Sequence, residues 1–195
     1  MTAEWESRGW VSGVITQNVD RLHQRAGSRA VIDLHGRLDQ VVCLACRHGT
    51  SRGELQSYLE RVNPRICGLA MEAVMAPDGD ADLAGDEFSD VHVPDCERCG
   101  GRLKPDVVFY GDIVPRATVT KAYEWVANAK SLLVIGSSLM VFSSFRFVRR
   151  AAELGVPVYA INRGRTRGDE LFVTKMNEDC VSALNGLNRL LSLHQ

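Results

Sequence analysis

Three groups of residues have the types and spacing to do chemistry. Thr16-Gln17-Asn18-Val19-Asp20 follows Val14-Ile15, which reads as the end of a buried strand, and Leu34-His35-Gly36 follows a second short apolar run. In an open α/β sheet the ligand-binding groups stand just beyond the carboxyl ends of strands. Two amides, a carboxylate and an imidazole gathered there can hold a small polar ligand. A neutral imidazole can also act as a general base near pH 7. The chain has five histidines, and a lone histidine is more often structural or exposed. The apolar run before His35 and the glycine after it favour His35 as the base.

The second group is Cys43-Leu44-Ala45-Cys46 and Cys96-Glu97-Arg98-Cys99. Two Cys-x-x-Cys knuckles flanking an insert can supply the four thiolates of a closed, tetrahedral zinc site, whose role is folding rather than catalysis. Reduced core pairs or two disulfides are the alternatives. Cys67 and Cys180 remain outside this pattern.

The third group is Gly136-Ser137-Ser138, which ends one apolar run, and Asn162, which ends another. Small and polar residues at such strand ends can turn backbone N–H groups toward a phosphate, and an Asn can bond a ribose hydroxyl. Two ordinary strand-to-helix turns are the alternative. No G-x-G-x-x-G or P-loop pattern is present, and neither serine sits in a G-x-S-x-G elbow.

The elements that must position these groups are legible in outline. Residues 3–9 read as a helix closed by Gly9, residues 10–15 as a strand, 20–26 as a short helix stopped by Gly27, and 30–34 as a strand delivering His35. Residues 40–44 form a strand into the first knuckle, and a helix starts at Ser51 and runs to Arg61. Residues 107–110 read as a strand ended by Gly111-Asp112, and its edge is also suited to pairing with a bound peptide. Val119, Ala122, Tyr123 and Val126 fall at helical spacing, which predicts an amphipathic helix over 118–130. Residues 131–135, 144–154 and 156–161 form a βαβ unit with parallel strands. Leu184, Leu187, Leu190 and Leu191 predict a closing helix. The acidic stretch 76–82 lacks EF-hand spacing and reads as a solvated loop.

Composition narrows the classes. A net charge of −1 over 195 residues, with a pI near 6.5, argues against a nucleic-acid surface. No apolar run has the length of a membrane span and the N-terminus lacks a secretory signal, so the chain reads as intracellular. The 45% apolar content can bury one core plus a small insert.

Taken in order, Thr16-Gln17-Asn18-Val19-Asp20, Leu34-His35-Gly36, the four cysteines, Lys104-Pro105-Asp106-Val107-Val108-Phe109-Tyr110-Gly111, Gly136-Ser137-Ser138-Leu139 and Ile161-Asn162 resemble the sirtuins, the NAD-dependent protein deacylases. The likeness runs from about Trp10 to the closing helix. The long cysteine insert is similar to the class II type, which includes mitochondrial sirtuin-4 and its bacterial relatives.

The resemblance implies an α/β fold with a Rossmann-like parallel sheet and a small inserted zinc-binding module: residues 1–42 and 104–195 Rossmann-like, 43–103 the zinc module. It implies NAD and one structural zinc as cofactors, with an acyl-lysine peptide as substrate and no nucleic-acid or membrane partner. Nicotinamide and O-acyl-ADP-ribose would be the products, and the protein would be a monomer. His35 would be the base and Asn18 a second catalytic residue. Gln17, Asn18, Asp20, Gly136, Ser137, Ser138, Asn162, Gly164 and Cys180 would contact NAD. Val108 and Phe109 would flank the acyl-lysine, and Cys43, Cys46, Cys96 and Cys99 would hold zinc. The family's Gly-Ala-Gly-Ile-Ser loop and its preceding strand have no counterpart here, so a sheet incomplete at its N-terminal side and a truncated form are expected. Mono-ADP-ribosyl transfer to protein and an inactive zinc-bearing module are the alternative functions. The mitochondrial matrix in a eukaryote, or the cytoplasm in a bacterium, is the expected compartment.

Overall fold

The structure, a computed structural model, describes residues 1–65 and 90–193. Cys67 and the acidic stretch 76–82 lie outside the described residues. The chain divides into two compact units, one comprising Met1–His35 with Val108–Gln195 and the other Gly36–Val107.

The first unit is built on short parallel strands. β1 (Val14–Thr16) pairs in parallel with β2 (Val31–Asp33), bringing Thr16 opposite Asp33. β6 (Leu132–Ile135), β7 (Val158–Ile161) and β8 (Thr174–Met176) form a second parallel sheet in that order. The expected βαβ unit is therefore present, with α5 (Phe142–Glu153) as its crossover helix. Ser144, Phe147, Val148 and Ala151 of α5 are buried at spacings of three and four, the stripe a helix needs to cover a sheet. α4 (Arg116–Ala127) buries Ala122 and Val126 in the same way, and its Tyr123 meets Phe147 edge to face at 5.1 Å. These side chains join Ile32, Leu34, Val134, Val158 and Ala160 in one apolar core. α1 (Thr2–Ser7) and α6 (Cys180–Leu193) are tied by the buried Trp5, whose indole N–H donates to Asn188 Oδ1 at 2.7 Å. The short α2 (Leu22–Arg25) lies between β1 and β2 in the chain.

The second unit is a three-stranded antiparallel sheet ordered β4 (Gly49–Ser51), β3 (Gly36–Cys43), β5 (Leu103–Val107). Pro105 has no N–H to donate, and it is accommodated on an edge strand beside the register shift between Arg37 and Val41. α3 (Arg52–Val62) begins where the Ser51 hydroxyl accepts from Gly53 N. At its other end the buried Asn63 donates to Leu59 O and His92 O and accepts from His92 N, which leaves its amide satisfied.

Two expected strands are displaced. Residues 10–13 are not strand: Trp10 N and Val11 N return to Trp5 O, closing α1, and the Gly13 backbone lies so near Trp125 that a Cβ would stand 2.5 Å from the ring. The strand expected over 107–110 is the preceding segment, β5. After Val108 the chain turns back, with Asp112 N donating to Phe109 O and Phe109 N donating to Asp112 Oδ2 around Gly111 at φ +92°. The resulting turn leaves Tyr110 fully exposed. β4 and β8, three residues each, are additions to the expected elements.

Candidate functional site

In the second unit β3 delivers Cys43, and the chain reverses at once. Arg47 N donates to Cys43 O, with Arg47 in the left-handed region at φ +61°. The second knuckle closes the same way, Gly100 N donating to Cys96 O and Cys96 N to Gly101 O, both at 2.8 Å. The four sulfurs thereby lie within 4.8 Å of one another, with Cys43 and Cys99 at 3.5 Å and Cys46 and Cys96 at 3.8 Å. Tetrahedral zinc with bonds of about 2.3 Å requires sulfurs about 3.8 Å apart. Neither disulfides nor an apolar core pair explains four thiols at that mutual spacing. Gly101 is part of the fit, because a Cβ there would stand 2.8 Å from Ala45 Cβ and 2.9 Å from Cys43 Sγ.

The thiols are already electrostatically unequal. The Cys46 amide holds the Cys43 thiol down to about 6. At Cys99 the Gly101 amide pulls downward, but the neighbouring Cys46 and Cys43 sulfurs and burial outweigh it and push the thiol up to about 12. Concentrating four sulfurs without a cation makes the later deprotonations costly, and a divalent ion removes that cost.

In the first unit the expected polar residues come from the carboxyl ends of the strands. After β1, Asn18 N donates to the buried Thr16 hydroxyl, and Leu22 N donates to Asp20 Oδ1. These side-chain bonds shape the 16–22 loop without using the Asn18 side chain. Gln17 reaches outward, and its Nε2 donates to Ser137 Oγ at 3.0 Å. The end of β1 and the end of β6 are thus joined, 120 residues apart in sequence.

His35 follows β2 and is half-buried. Its Nε2 lies 2.8 Å from Ser143 Oγ in the first turn of α5. Burial lowers its pKa from the ordinary 6.5, opposed by a backbone hydrogen bond with Gln17. At neutral pH this favours the neutral, proton-accepting ring. Ser143 was not legible as a partner in the sequence, because only the tertiary fold brings positions 35 and 143 together. Arg21, in the left-handed region, pairs with Asp33, which also accepts from Gln24 Nε2, so this network fixes the loop before His35.

Gly136, Asn162, Gly164 and Cys180 gather where β6, β7 and β8 end. Gly136 N donates to Ile161 O and Asn162 N to Met176 O, so the parallel ladders continue to the last residue. Gly136 takes φ +61°, and a Cβ there would meet Cys180 Sγ at 3.4 Å. The cysteine that stands alone in sequence thus opens α6 beside the glycine turn. Gly164, at φ +72°, donates its N–H to Asn177 Oδ1 and accepts from Lys175 Nζ at 2.6 Å. Lys175 also bonds Asp169, which accepts from Thr166 as well. Ser138 O accepts from Arg167 N, linking the turns after β6 and β7. This row of small residues and positive-φ turns at parallel strand ends has the form of a nucleotide edge. Val108 and Phe109 stand beside His35 in the chain path: Val108 N donates to His35 O at 2.9 Å, and Phe109 is half exposed.

Residues 1–143 match the profile of the Sir2 family. The chain belongs to the Sir2 family. It is 54% identical over 182 residues to an NAD-dependent protein deacetylase of Xanthomonas axonopodis pv. citri, a match covering 93% of this chain and 61% of that protein. It is 52% identical to the NAD-dependent protein deacetylase of Bordetella bronchiseptica, covering 66% of it. The chain thus spans about three fifths to two thirds of the length of these curated relatives. Among solved structures it is similar to a Sir2 complex with p53 peptide and NAD+, with a TM-score of 0.77 at 26% identity over 98% of this chain and 68% of that one. A Sir2 protein bound to a propionylated peptide gives 0.77 at 28% identity, over 98% and 68%. The Sir2 fold accounts for the parallel α/β sheets and the four-cysteine cluster together. Among the described residues no helix is long and apolar enough to cross a membrane.

Proposed function

We propose that this Sir2 chain carries the site of an NAD-dependent protein-lysine deacylase that releases nicotinamide and O-acyl-ADP-ribose. The observation that carries the reading is the Gln17 Nε2 to Ser137 Oγ hydrogen bond. It sets the polar group after β1 against the glycine-serine turn after β6, the juxtaposition that one dinucleotide needs to bridge both ends. The family membership and the deacetylase names of the relatives support it.

Gln17, Asn18 and Asp20 are assigned to the nicotinamide-ribose half. Gly136, Ser137, Ser138, Asn162, Gly164 and Cys180 are assigned to the adenosine half, where the positive-φ glycines leave the strand ends uncovered. When bound, NAD supplies an electrophilic ribose carbon and a nicotinamide leaving group. His35 accepts a proton at the nitrogen now facing Ser143 Oγ, and its burial keeps the imidazole neutral for that task. Asn18, exposed and with its backbone fixed by Thr16, orients the reacting ribose. Val108 and Phe109 flank the acyl-lysine. Cys43, Cys46, Cys96 and Cys99 hold one structural zinc within the unit Gly36–Val107, and Met1–His35 with Val108–Gln195 form the Rossmann-like part.

The finer assignment, to the class that includes mitochondrial sirtuin-4 and its bacterial relatives, rests on the long insert between the cysteine pairs. The relatives' bacterial origin favours a cytoplasmic compartment over a mitochondrial one. A monomer acting on acyl-lysine proteins is the proposed working form.

Incubation with NAD and an acetyl-lysine peptide tests the reading. Nicotinamide release that yields O-acetyl-ADP-ribose, and is lost in His35→Ala, is the expected result. Labelled ADP-ribose retained on the protein partner would replace it with mono-ADP-ribosyl transfer. No release and no NAD binding would leave the inactive zinc module.

A further inference from the structure

Beside the His35–Ser143 pair, α5 presents an aromatic ring encircled by cations. Phe142 is 44% exposed, and three guanidinium carbons stand over it: Arg146 at 5.2 Å, Arg149 at 5.4 Å and Arg167 at 5.9 Å. Arg167 also lies 4.6 Å from the centroid of Phe145 and donates to Met140 O. Arg146 is held against its own helix, its Nε donating to Phe142 O. Arg149 pairs with Glu153. Among the described residues Arg146 and Arg167 have no carboxylate partner. Two uncompensated cations, in a chain whose net charge is −1, are thus fixed around one ring next to the proposed base.

Gathering like charges costs free energy, and the ring face offsets only about 0.5–1 kcal/mol per exposed cation. A bound anion would complete the arrangement. Met140 and Val141, exposed at 56% and 47%, continue the surface from Phe142 and add apolar contact on one side of the guanidiniums. Alternating apolar and cationic contact suits a peptide carrying carboxylates better than a phosphate backbone. The net charge of −1 also argues against a nucleic-acid partner.

We propose that Arg146 and Arg167, with the Phe142 ring between them, form a subsite for acidic residues flanking the acyl-lysine of the protein substrate. The proposal rests on the deacylase reading for the presence of an acyl-lysine, whereas the binding of an acidic peptide stands apart from turnover. Selection by the subsite is electrostatic, so it acts at low ionic strength and fades as salt screens the exposed charges.

The test uses fluorescein-labelled acetyl-lysine peptides of one sequence, with Asp and Glu or with Asn and Gln at the flanking positions, measured by anisotropy and by nicotinamide release. The acidic peptide should bind about five- to tenfold tighter at low salt, the scale of two partly exposed ion pairs. The preference should vanish in R146Q/R167Q and in high salt. It should persist in R146K/R167K, which keeps the charges, and binding of the neutral peptide by R146Q/R167Q confirms an intact fold. Equal affinity of the wild-type protein for both peptides would overturn the proposal, as would tighter binding of a single-stranded oligonucleotide than of the acidic peptide. Preferential binding without nicotinamide release would uphold the subsite while removing the deacylase reading.

Discussion

His35 Nε2 and Ser143 Oγ are 2.8 Å apart, so the loop after β2 and the first turn of α5 share one hydrogen-bonded proton. The sign of the pH effect follows from burial. His35 titrates below its ordinary 6.5, so the neutral base predominates at and above that pH and is lost only as pH falls further. The acid limb of kcat/KM should therefore have its midpoint below 6.5. A midpoint above that value would exclude a buried His35 as the base.

Substitution separates the two partners. His35→Ala should lower nicotinamide release by about 10²–10⁴-fold, the range of general-base contributions. Ser143→Ala removes only one hydrogen bond and should cost about three- to tenfold in kcat. Steady-state rates for both variants, with NAD and peptide saturating, provide the comparison.

Gln17 and Ser137 meet through a single 3.0 Å hydrogen bond. Gln17→Ala should raise the KM for NAD about fivefold, the equivalent of about 1 kcal/mol. Calorimetric titration with NAD measures the same change without turnover. An unchanged affinity would remove Gln17 from the nucleotide contacts.

The cysteine cluster predicts about one zinc per chain by metal analysis. Chelation, or Cys43→Ser, should lower the melting temperature, because ion binding and the folding of this unit are coupled. Gly101→Ala should weaken metal retention while leaving all four thiols in the chain, because it crowds Cys43 rather than replacing it. Its Cβ would fall within 3 Å of Ala45 Cβ and Cys43 Sγ, and overpacking of this kind costs about 1–3 kcal/mol. Metal content against chelator concentration distinguishes the variant from wild type.

Asp169 has its carboxyl drawn down to about 2, first by its bond to Lys175 and then by Thr166. Such a depressed carboxylate contributes stability above its ordinary value of 3.8, and that contribution is lost as pH falls through about 2. Asp169→Asn should accordingly lower the melting temperature at neutral pH and narrow the gap to wild type near pH 2. Thermal melts across that range read the difference.

The fold was legible wherever spacing carries the signal. The stripe Val119, Ala122, Tyr123 and Val126 announced α4, and the two Cys-x-x-Cys knuckles announced the thiol cluster. β5 was obscured because Lys104, Pro105 and Asp106 have the composition of a loop, and an edge strand tolerates them. The apolar run 107–110 misled in the opposite direction. Asp112 pulls Phe109 into a turn, and Tyr110 faces solvent. Contacts made only by tertiary folding, such as Ser143 with His35 or Cys180 against Gly136, leave no trace in local pattern. The strand ends could be located from sequence, and the hydrogen bonds between them could not.

The chain leaves one unit at His35 and re-enters it at Val108, where Val108 N donates to His35 O. Gly36 secures the exit: it takes φ +83°, and a Cβ there would sit 2.0 Å from Asp106 O. An inserted segment held by so narrow a neck can change length at an entropic cost that rises only with the logarithm of its size. The gene can therefore lengthen or restyle the metal-bearing stretch while the imidazole beside the neck keeps its place. Variation among descendants should concentrate inside that stretch.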